Sequence, residues 1–375
     1  MRVLMILSSM AMGGAERNIA AVVPYINGLD GCELTLGTLN TRRDSPLAEL
    51  ITHSGVRRVD MGAKRMTDLA AWKRFTTFLR EEKIELVHSQ DQDTHVWNAL
   101  QHVRRGIPSV MTRHVMFEPA ESIKTTLRAR LVLLAARYGI ERVIAVSEAT
   151  RQRFHEQTRL PLTKIETIYN GIDLTKFETR AKRAETRAAL GWDLSAPIAV
   201  MVAVLRGGKG HEVLFESIHA LKARVPNVQI KLIGDGEQRA MLEAQAAPYQ
   251  DVVEFMGQRM DVPELLGAAD ALVLPSWSEA LPTVLIEAGA ASLPCVATNV
   301  GGTAEIVVDG ETGYVIAAGD AAALVDRLAL LLQDQSKARA LGEAAYKRVH
   351  SIFTLKQQAV RTVDLYRRVI ADHRR

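Results

Sequence analysis

Cysteine is scarce in this sequence: among its 375 residues only Cys32 and Cys295 are cysteines. They lie far apart, and neither has a partner at the spacing of a metal-binding motif. A disulfide framework and a thiolate zinc site are therefore excluded, and a reducing, cytoplasmic location is expected.

Aromatic residues are also few, at 5% of the chain, and the formal net charge is only +4. Nucleic-acid-binding proteins usually combine a strongly basic surface with aromatic side chains that stack on bases. The sequence has neither feature, so we expect no nucleic-acid partner.

No apolar run approaches the ~20 residues that a membrane-spanning helix requires. The longest candidate, Ile198–Leu205, has the length of a strand. Met1–Met10 is apolar but leads directly into glycines, without the long apolar core and cleavage site of a signal peptide. We therefore expect a strand there and no transmembrane segment.

The composition is that of a globular protein, with 47% apolar and 24% charged residues. At about 150 residues per domain, the length predicts two domains. Residues 1–173 carry 24 basic and 19 acidic side chains, whereas the remainder carries 23 and 24. The excess of positive charge therefore lies in the first half.

Apolar runs alternate with amphipathic segments in that half. Val3–Leu7 is followed by Gly13 and Gly14 and then by the periodic segment Ala15–Tyr25, a pattern typical of a strand, a loop and a helix. Because strands and helices continue to alternate, the pattern predicts a parallel, doubly wound sheet. The other segments are the strands Ile84–His88, Ser109–Thr112 and Arg142–Val146 and the helices Leu69–Glu82 and Ser122–Tyr138.

A second α/β cycle begins near Ala196, after the polar segment Leu174–Asp193, which we interpret as a linker with some helix. Lys356–Ile370 has the period of a final helix. We expect domains over residues 1–175 and 176–355 and a terminal helix over 356–375. The segments of the second cycle are the strands Ile198–Leu205, Val228–Ile233, Val253–Met256, Ala271–Pro275, Cys295–Thr298 and Tyr314–Ile316 and the helix Glu212–Ala223.

Two glycine-containing loops follow predicted strands. Gly13 and Gly14 precede a helix, whose amides and positive end attract phosphate, although the motif is equally a simple turn. Arg206 and Lys209 flank two glycines after Ile198–Leu205. These two cations either clamp a diphosphate at the carboxyl edge of the sheet or are merely solvated.

A third segment, Ser276–Glu287, follows the predicted strand Ala271–Pro275 and contains Glu279-Ala280-Leu281-Pro282-Thr283. Pro282 suits the first turn of a helix, which would place Glu279 in the preceding loop and Glu287 more than a turn inside. A carboxylate at the Glu279 position can accept hydrogen bonds from ligand hydroxyls. It can equally stabilise the start of the helix.

The order of these motifs resembles that of the retaining family 4 glycosyltransferases, over nearly the whole chain. Glu279 and Glu287 form E-x7-E, between the Arg206–Lys209 loop and Val300–Glu305. Each motif alone is weak, but the ordered set is specific. The other matching segments are Gly13–Glu16, His88, Thr112–His114, Val146–Glu148, Tyr169–Asp173 and Gly234–Gly236.

The resemblance implies a GT-B fold, in which two Rossmann-like domains face a cleft and the last helix crosses back to the first domain. It implies an acceptor on the N-terminal side and a nucleotide-diphosphate sugar mainly on the C-terminal side, UDP-sugar first and GDP-sugar next. The implied reaction is retaining transfer to a hydroxyl of a glycan, lipid-linked or cell-envelope acceptor. The family requires no metal, and we expect no cofactor.

The resemblance also assigns roles to residues. Lys209 and Arg206 would hold the diphosphate, and Glu279 would bind the sugar hydroxyls. His114 would lie near the donor sugar. These four residues form the expected catalytic set. Arg206 is displaced by two residues from the family pattern Gly-Arg-Leu, and Ala280 stands where glycine is commoner. The expected donor-binding set is Gly13, Gly14, Arg206, Lys209, Glu279, Ala280, Leu281, Pro282, Thr283 and Glu287, the last on the ribose.

Two other functions stay open on the residues alone. A sugar-nucleotide epimerase shares two such domains but needs no acceptor, and the E-x7-E order argues against it. A non-catalytic nucleotide-sugar-binding protein is compatible with the displaced Arg206.

A D-x-D sequence, Asp91-Gln92-Asp93, is typical of metal-dependent transferases of another fold. Its place in the first domain disfavours a metal site, and His88 and His95 complete no ligand set with it. His88 itself is either packed at a strand end or in contact with a ligand.

The segment Ser122–Arg137 is basic and amphipathic, with Lys124, Arg128, Arg130 and Arg137 and no acid. Such a helix can bind anionic lipids, or it can be an ordinary helix that buries its leucines. We expect peripheral contact with the cytoplasmic face of a membrane. The interleaved apolar residues are Ile123, Leu127, Leu131 and Leu134.

Overall fold

A computed structural model describes residues 1–11, 13–40, 45, 47–116, 123–177, 179 and 182–375. These residues form two compact units, one of residues 1–172 and 355–375 and the other of residues 173–354. Each unit is a parallel sheet with helices, as the alternation of segments predicts.

The first unit contains a seven-stranded parallel sheet of order β3-β2-β1-β4-β5-β6-β7. The order reverses between β1 and β4, so the loops at the carboxyl ends of these two strands border the crevice where ligands of such sheets bind. Its strands are β1 (Arg2–Leu7), β2 (Glu33–Thr38), β3 (Arg57–Asp60), β4 (Leu86–Ser89), β5 (Ser109–Arg113), β6 (Arg142–Ala145) and β7 (Ile165–Thr167). Its helices up to this point are α1 (Gly14–Ile26), α2 (Leu47–His53), α3 (Leu69–Glu81), α4 (Gln92–Arg105), α5 (Ile123–Gly139) and α6 (Glu148–Thr158).

Strand β1 shows why the first sheet is covered on both faces. Its side chains alternate between two apolar clusters, with Val3 and Met5 in one and Leu4 and Ile6 in the other. A strand that is buried on both sides must be apolar throughout, which explains the uninterrupted run in the sequence.

The second unit contains a six-stranded parallel sheet of order β10-β9-β8-β11-β12-β13. Helix α7 (Arg183–Leu190) precedes the sheet in the sequence, and β8 and β11 are neighbours at the centre of the sheet. The strands are β8 (Ile198–Val202), β9 (Gln229–Ile233), β10 (Val253–Gly257), β11 (Ala271–Leu274), β12 (Cys295–Thr298) and β13 (Tyr314–Ile316). The helices that follow are α8 (His211–Arg224), α9 (Arg239–Ala246), α10 (Val262–Ala268), α11 (Thr283–Ala290), α12 (Thr303–Ile306), α13 (Ala321–Gln333) and α14 (Gln335–Ile352).

The last helix, α15 (Leu355–His373), returns to the first unit, as expected, and packs on α1. Val363 and Tyr366 on this helix are fully buried in the cluster that covers one face of the first sheet. The terminal helix is therefore part of the first unit's core.

Three strands, β2, β3 and β7, were not among the segments that the alternation singled out. Strand β3 reads Arg-Arg-Val-Asp at the edge of the sheet, and β7 has only three residues, so neither has an apolar run. Strand β2 does alternate, with Leu34 and Leu36 buried, and its pattern was recognisable. Conversely, β8 ends at Val202, three residues before the predicted end.

The polar segment Leu174–Asp193, interpreted as a linker with some helix, contains α7 among its described residues. Arg187 on α7 is buried and donates from Nη2 to Asp270 at 2.8 Å and from Nε to the carbonyl of Ala268 at 2.8 Å. A buried guanidinium requires such partners for its N–H groups. These hydrogen bonds attach α7 to the second unit.

No helix of the described residues is long and apolar enough to cross a membrane.

Buried histidines make the stability of the first unit dependent on pH. Burial lowers the pKa of His88 to about 3, and burial together with the Arg113 charge lowers that of His114 to about 4, from an ordinary value of 6.5. Below pH ~6.5 the unfolded chain therefore binds protons at these rings that the folded unit does not bind. We predict that the free energy of unfolding of this unit falls as the pH is lowered from 6.5 towards 4.

The free energy of unfolding at each pH can be measured by tryptophan fluorescence during urea unfolding. In a Trp192→Phe/Trp277→Phe background, the remaining Trp72 and Trp97 report on the first unit. His88→Asn should reduce the pH dependence, and His53→Gln, at an exposed position of α2, should leave it unchanged. An unfolding free energy equal at pH 7 and pH 5 would contradict the prediction.

Candidate functional site

The loops after β8 and β11 meet at the carboxyl edge of the second sheet. Lys209 Nζ donates to Glu279 Oε1 at 2.7 Å, and Ser276 Oγ donates to the same oxygen at 2.8 Å. The side chains of Lys209 and Glu279 are only 16% and 12% exposed. The structure thus joins two of the predicted site residues in a partly buried ion pair.

Glycines allow these loops to approach each other. Gly210 has a φ of +77°, and a Cβ there would lie 1.9 Å from the carbonyl oxygen of Pro275. Gly301 has a φ of +52°, and its Cβ would lie 1.6 Å from the carbonyl oxygen of Glu279. Both positions therefore require glycine.

The ion pair retains capacity for a ligand. A lysine ammonium has three N–H donors, and the pair with Glu279 uses one of them. Both of the Glu279 hydrogen bonds given above use Oε1, so Oε2 can accept from a hydroxyl. The site can therefore offer donors to an anion and an acceptor to a hydroxyl.

Helix α11 begins at Thr283, so Pro282 is its N-cap and not, as expected, a residue of its first turn. Glu279 lies in the preceding loop, as predicted, but it contacts Lys209 and Ser276, and no side chain caps this helix. Leu281 is buried, and the carbonyl of Ala280 accepts from the amide of Gly302 at 3.1 Å. Glu287, partly buried, is the fifth residue of the helix.

Arg206 lies four residues beyond the end of β8, with an exposed side chain. Within the described part of the chain, no hydrogen bond or ion pair of its guanidinium is found. Its displacement by two residues therefore puts the charge in the turn rather than at the strand end.

The first glycine motif starts α1 in the first unit. Gly13 is its N-cap, in an extended conformation, and a Cβ there would lie 2.1 Å from Oε2 of Glu16. Burial and the nearby Asp91 raise the pKa of Glu16, against a lowering by a backbone hydrogen bond. A Cβ on Gly14 would meet no described atom within 4 Å, so packing does not demand glycine there.

His114, which is partly buried, follows β5 and contacts a polar cluster whose other members are buried. Its Nε2 lies 2.9 Å from Oε1 of Gln90, whose amide nitrogen contacts His88. His88 Nδ1 lies 2.6 Å from the Tyr366 hydroxyl and Nε2 lies 2.7 Å from that of Thr112. His88, Gln90, Thr112 and His114 border a cavity of about 20 Å³, enough for about one water molecule.

These contacts decide between the two interpretations of His88. It is 2% exposed, and both ring nitrogens have protein partners, so it packs at the strand end.

The two aspartates of D-x-D have structural partners. Asp91 caps α4 in a capping box with Thr94 and accepts from Ser8 Oγ at 2.8 Å, while Asp93 pairs with Arg128. His95 bonds to Ser89 at 2.9 Å. Among the residues that the structure describes, no cluster of His, Cys, Asp or Glu could hold a metal ion.

Sequence reasoning missed Gln90 and gave no role to Ser276, the first residue of the third segment. Gln90 directly follows Ser89, the last residue of β4, and Ser276 lies two residues after Leu274, the last residue of β11. Position at this edge is the signal that could have identified them.

Two family models match the chain. The model of the glycosyl transferases group 1 matches residues 182–348, and that of glycosyltransferase family 4 matches residues 12–176. Each model thus covers most of one unit.

Each of two curated relatives matches this chain over most of its own length and most of the length of this chain. N-acetyl-alpha-D-glucosaminyl L-malate synthase of Bacillus anthracis is 26% identical over 81% of this chain and 80% of that protein. Alpha-maltose-1-phosphate synthase of Mycolicibacterium smegmatis is 30% identical over 77% and 80%. Among solved structures, Anabaena Alr3699/HepE in complex with UDP-glucose matches with a TM-score of 0.83 at 23% identity, over 97% of this chain and 99% of that one.

The partly buried pair should be coupled in stability. Lys209→Met or Glu279→Gln alone leaves a partly buried charge without its opposite charge, so each variant should lower the free energy of unfolding of the second unit. The double variant should be more stable than the sum of the single effects implies, with a coupling of about 1–3 kcal/mol. Urea unfolding followed by Trp192 and Trp277, in a Trp72→Phe/Trp97→Phe background, measures the cycle. Additive single effects would show that the pair contributes nothing.

Proposed function

Since the chain belongs to the family 4, group 1 glycosyltransferases and has their GT-B fold, we propose that it is a retaining, metal-independent enzyme. It moves a sugar from a nucleotide-diphosphate sugar to a hydroxyl of a glycan, lipid-linked or cell-envelope acceptor. The observation that carries this proposal is the Lys209–Glu279 pair. It combines cationic donors for a diphosphate with a carboxylate oxygen for sugar hydroxyls.

The charges that develop in the reaction match these side chains. Breaking the bond between the anomeric carbon and the phosphate oxygen leaves negative charge on the nucleoside diphosphate. The remaining N–H donors of Lys209, with Arg206, stabilise that charge. Glu279 orients the sugar by accepting hydrogen bonds from the sugar hydroxyls, and Glu287 binds the ribose.

The proton of the acceptor hydroxyl goes to the departing phosphate. The acceptor oxygen forms its bond to the anomeric carbon on the face that the diphosphate leaves, so the configuration is retained. A phosphate oxygen takes the proton as the bond forms. No carboxylate is needed as a covalent nucleophile.

The nucleotide is UDP in the first instance, and GDP next. The complex of the Anabaena protein with UDP-glucose supports this choice. In the first unit, the open side of Gly14 lets a phosphate approach the start of α1.

The acceptor side contacts an anionic membrane surface. Leu131, Leu134 and Tyr138 recur at helical spacing on α5 and are exposed, the last two by 52% and 70%. Arg130 and Arg137 are exposed on the same helix. Apolar side chains flanked by arginines suit the headgroup region of anionic lipids. Ser122 and the side chains of Ile123, Lys124 and Leu127 lie outside the described residues.

Donor binding should raise the melting temperature selectively. At 100 times Kd a ligand stabilises the folded state by about 2.7 kcal/mol, which shifts the melting temperature by several degrees. We expect this shift with one class among UDP-, GDP- and ADP-sugars, UDP-sugar first. Lys209→Met should lose it, whereas Lys222→Met, on the exposed face of α8, should retain it.

Turnover separates a transferase from a binding protein. Glu279→Gln and Lys209→Met should fold and transfer sugar at least tenfold more slowly than the wild type. The proposed donor site would be refuted if no nucleotide sugar raised the melting temperature, or if both variants turned over substrate as fast as the wild type. Binding without transfer to any acceptor would favour the non-catalytic alternative.

Membrane contact is tested by flotation with vesicles of phosphatidylglycerol and phosphatidylcholine at low salt. We expect flotation that weakens as salt rises, because the arginines contribute about 1 kcal/mol each near an anionic surface. Leu134→Gln/Arg137→Gln should reduce it, and Leu50→Gln on α2, also exposed, should not. Absence of flotation at low salt would refute the contact.

A further inference from the structure

Gln90 lies between two histidines of the first unit. Its side chain is 7% exposed; Oε1 lies 2.9 Å from His114 Nε2, and the amide nitrogen lies 3.1 and 3.3 Å from the two ring nitrogens of His88. The backbone is fixed as well, because the Gln90 amide donates to the carbonyl of Ile6 at 3.0 Å. A side chain held at both ends has little freedom to rotate.

The contacts with His88 decide which end of the amide faces which ring. Both ring nitrogens of His88 already have hydroxyl partners, Tyr366 and Thr112, so neither its N–H nor its lone pair is left for Gln90. The amide atom of Gln90 that lies 3.1 and 3.3 Å from the two ring nitrogens is therefore over the face of the ring, where the π electrons attract an N–H group and repel a carbonyl oxygen. The amino group faces His88, and the carbonyl oxygen faces His114.

A carbonyl oxygen only accepts, so His114 Nε2 carries a proton. Burial and the charge of Arg113 lower the pKa of His114 to about 4, which leaves the ring neutral at pH 7. A neutral imidazole with a proton on Nε2 has a lone pair on Nδ1. No hydrogen bond to His114 Nδ1 comes from the part of the chain that the structure describes.

We propose that Gln90 is a positioning residue that holds His114 as the Nε2–H tautomer, so that Nδ1 accepts a hydrogen bond from a hydroxyl of the sugar substrate. The proposal rests on the proposed function for the substrate class. Its account of the tautomer rests on the contacts of this unit alone.

The terminal helix supports this arrangement. Tyr366 on α15 is fully buried, and burial raises its pKa well above 10, so that it remains a neutral hydroxyl against His88. His88 in turn supports the amino group of Gln90. The order Tyr366, His88, Gln90, His114 therefore links α15 to the end of β5.

The tautomer can be measured directly. Nitrogen-15 spectra of the full-length protein, labelled in its histidines, distinguish a protonated ring nitrogen from one with a lone pair, and His114→Asn identifies the signals of His114. At pH 7.5 without substrate, we expect a protonated Nε2 and a bare Nδ1. Gln90→Met, which keeps the length but removes the acceptor, should mix or reverse the two forms. Gln245→Met, at an exposed position of α9, should not.

Kinetics test whether the tautomer serves the reaction. Gln90→Met should lower kcat about tenfold, the scale of one misplaced hydrogen bond. Gln90→Glu keeps an acceptor for Nε2–H and should recover most of kcat at pH 8. Its negative charge raises the pKa of His114, so its activity should fall at a higher pH than that of the wild type as acid is added.

The outcomes separate this proposal from the proposed function. A proton on Nδ1 of His114 in the wild type, or an unchanged tautomer and kcat in a folded Gln90→Met, would overturn the positioning role even if transfer is observed. If no nucleotide sugar is turned over, the spectra still decide the tautomer. Loss of kcat in Gln90→Met and Gln90→Glu alike, with one shared pH profile, would show a merely structural role and overturn the proposal.

Discussion

Parallel pairing of the strands in both sheets is the constraint that brings the side chains of the candidate site together. Each crossover returns the chain to the same edge, so the loops after all the strands of a sheet lie at one side. Lys209 and Glu279 are 70 residues apart in sequence, yet their side chains join at 2.7 Å because β8 and β11 are neighbours. The same constraint brings Gln90 and His114 together after β4 and β5.

The sequence predicts the fold well where burial is symmetrical and less well at the edges. Strands such as β1, buried on both faces, must be apolar throughout and are recognisable, whereas the edge strand β3 carries Arg57 and Arg58 and has no such run. For the site, the glycine loops and the two glutamates were identifiable from spacing and resemblance. The pair of Lys209 with Glu279 and the contact of His88 with Tyr366, 278 residues away, depend on tertiary packing that no local pattern encodes.

The two units handle charge in different ways. In the second unit, Lys209 and Glu279 form a partly buried ion pair, and desolvation makes either charge costly without the other. In the first unit, burial lowers the pKa of His88, His95 and His114, so the cluster is neutral at pH 7. An ionic pair suits a diphosphate, whose charge grows during transfer, and neutral rings suit uncharged hydroxyls, which they can bind without changing their protonation.

The terminal helix stabilises the first unit at the points where the chain leaves and re-enters it. Asn18 and Gln358 exchange side-chain hydrogen bonds of 3.1 and 2.8 Å, and each also bonds to the backbone of Gly171. Gly171 lies two residues before the second unit begins at Asp173. Gln358 lies three residues after the chain re-enters the first unit at Leu355. Because Asn18 lies on α1, this amide cluster fixes the helix that begins at Gly14 to both connections. Tyr366, two turns further along α15, bonds to His88, so one helix supports both the glycine loop and the histidine cluster.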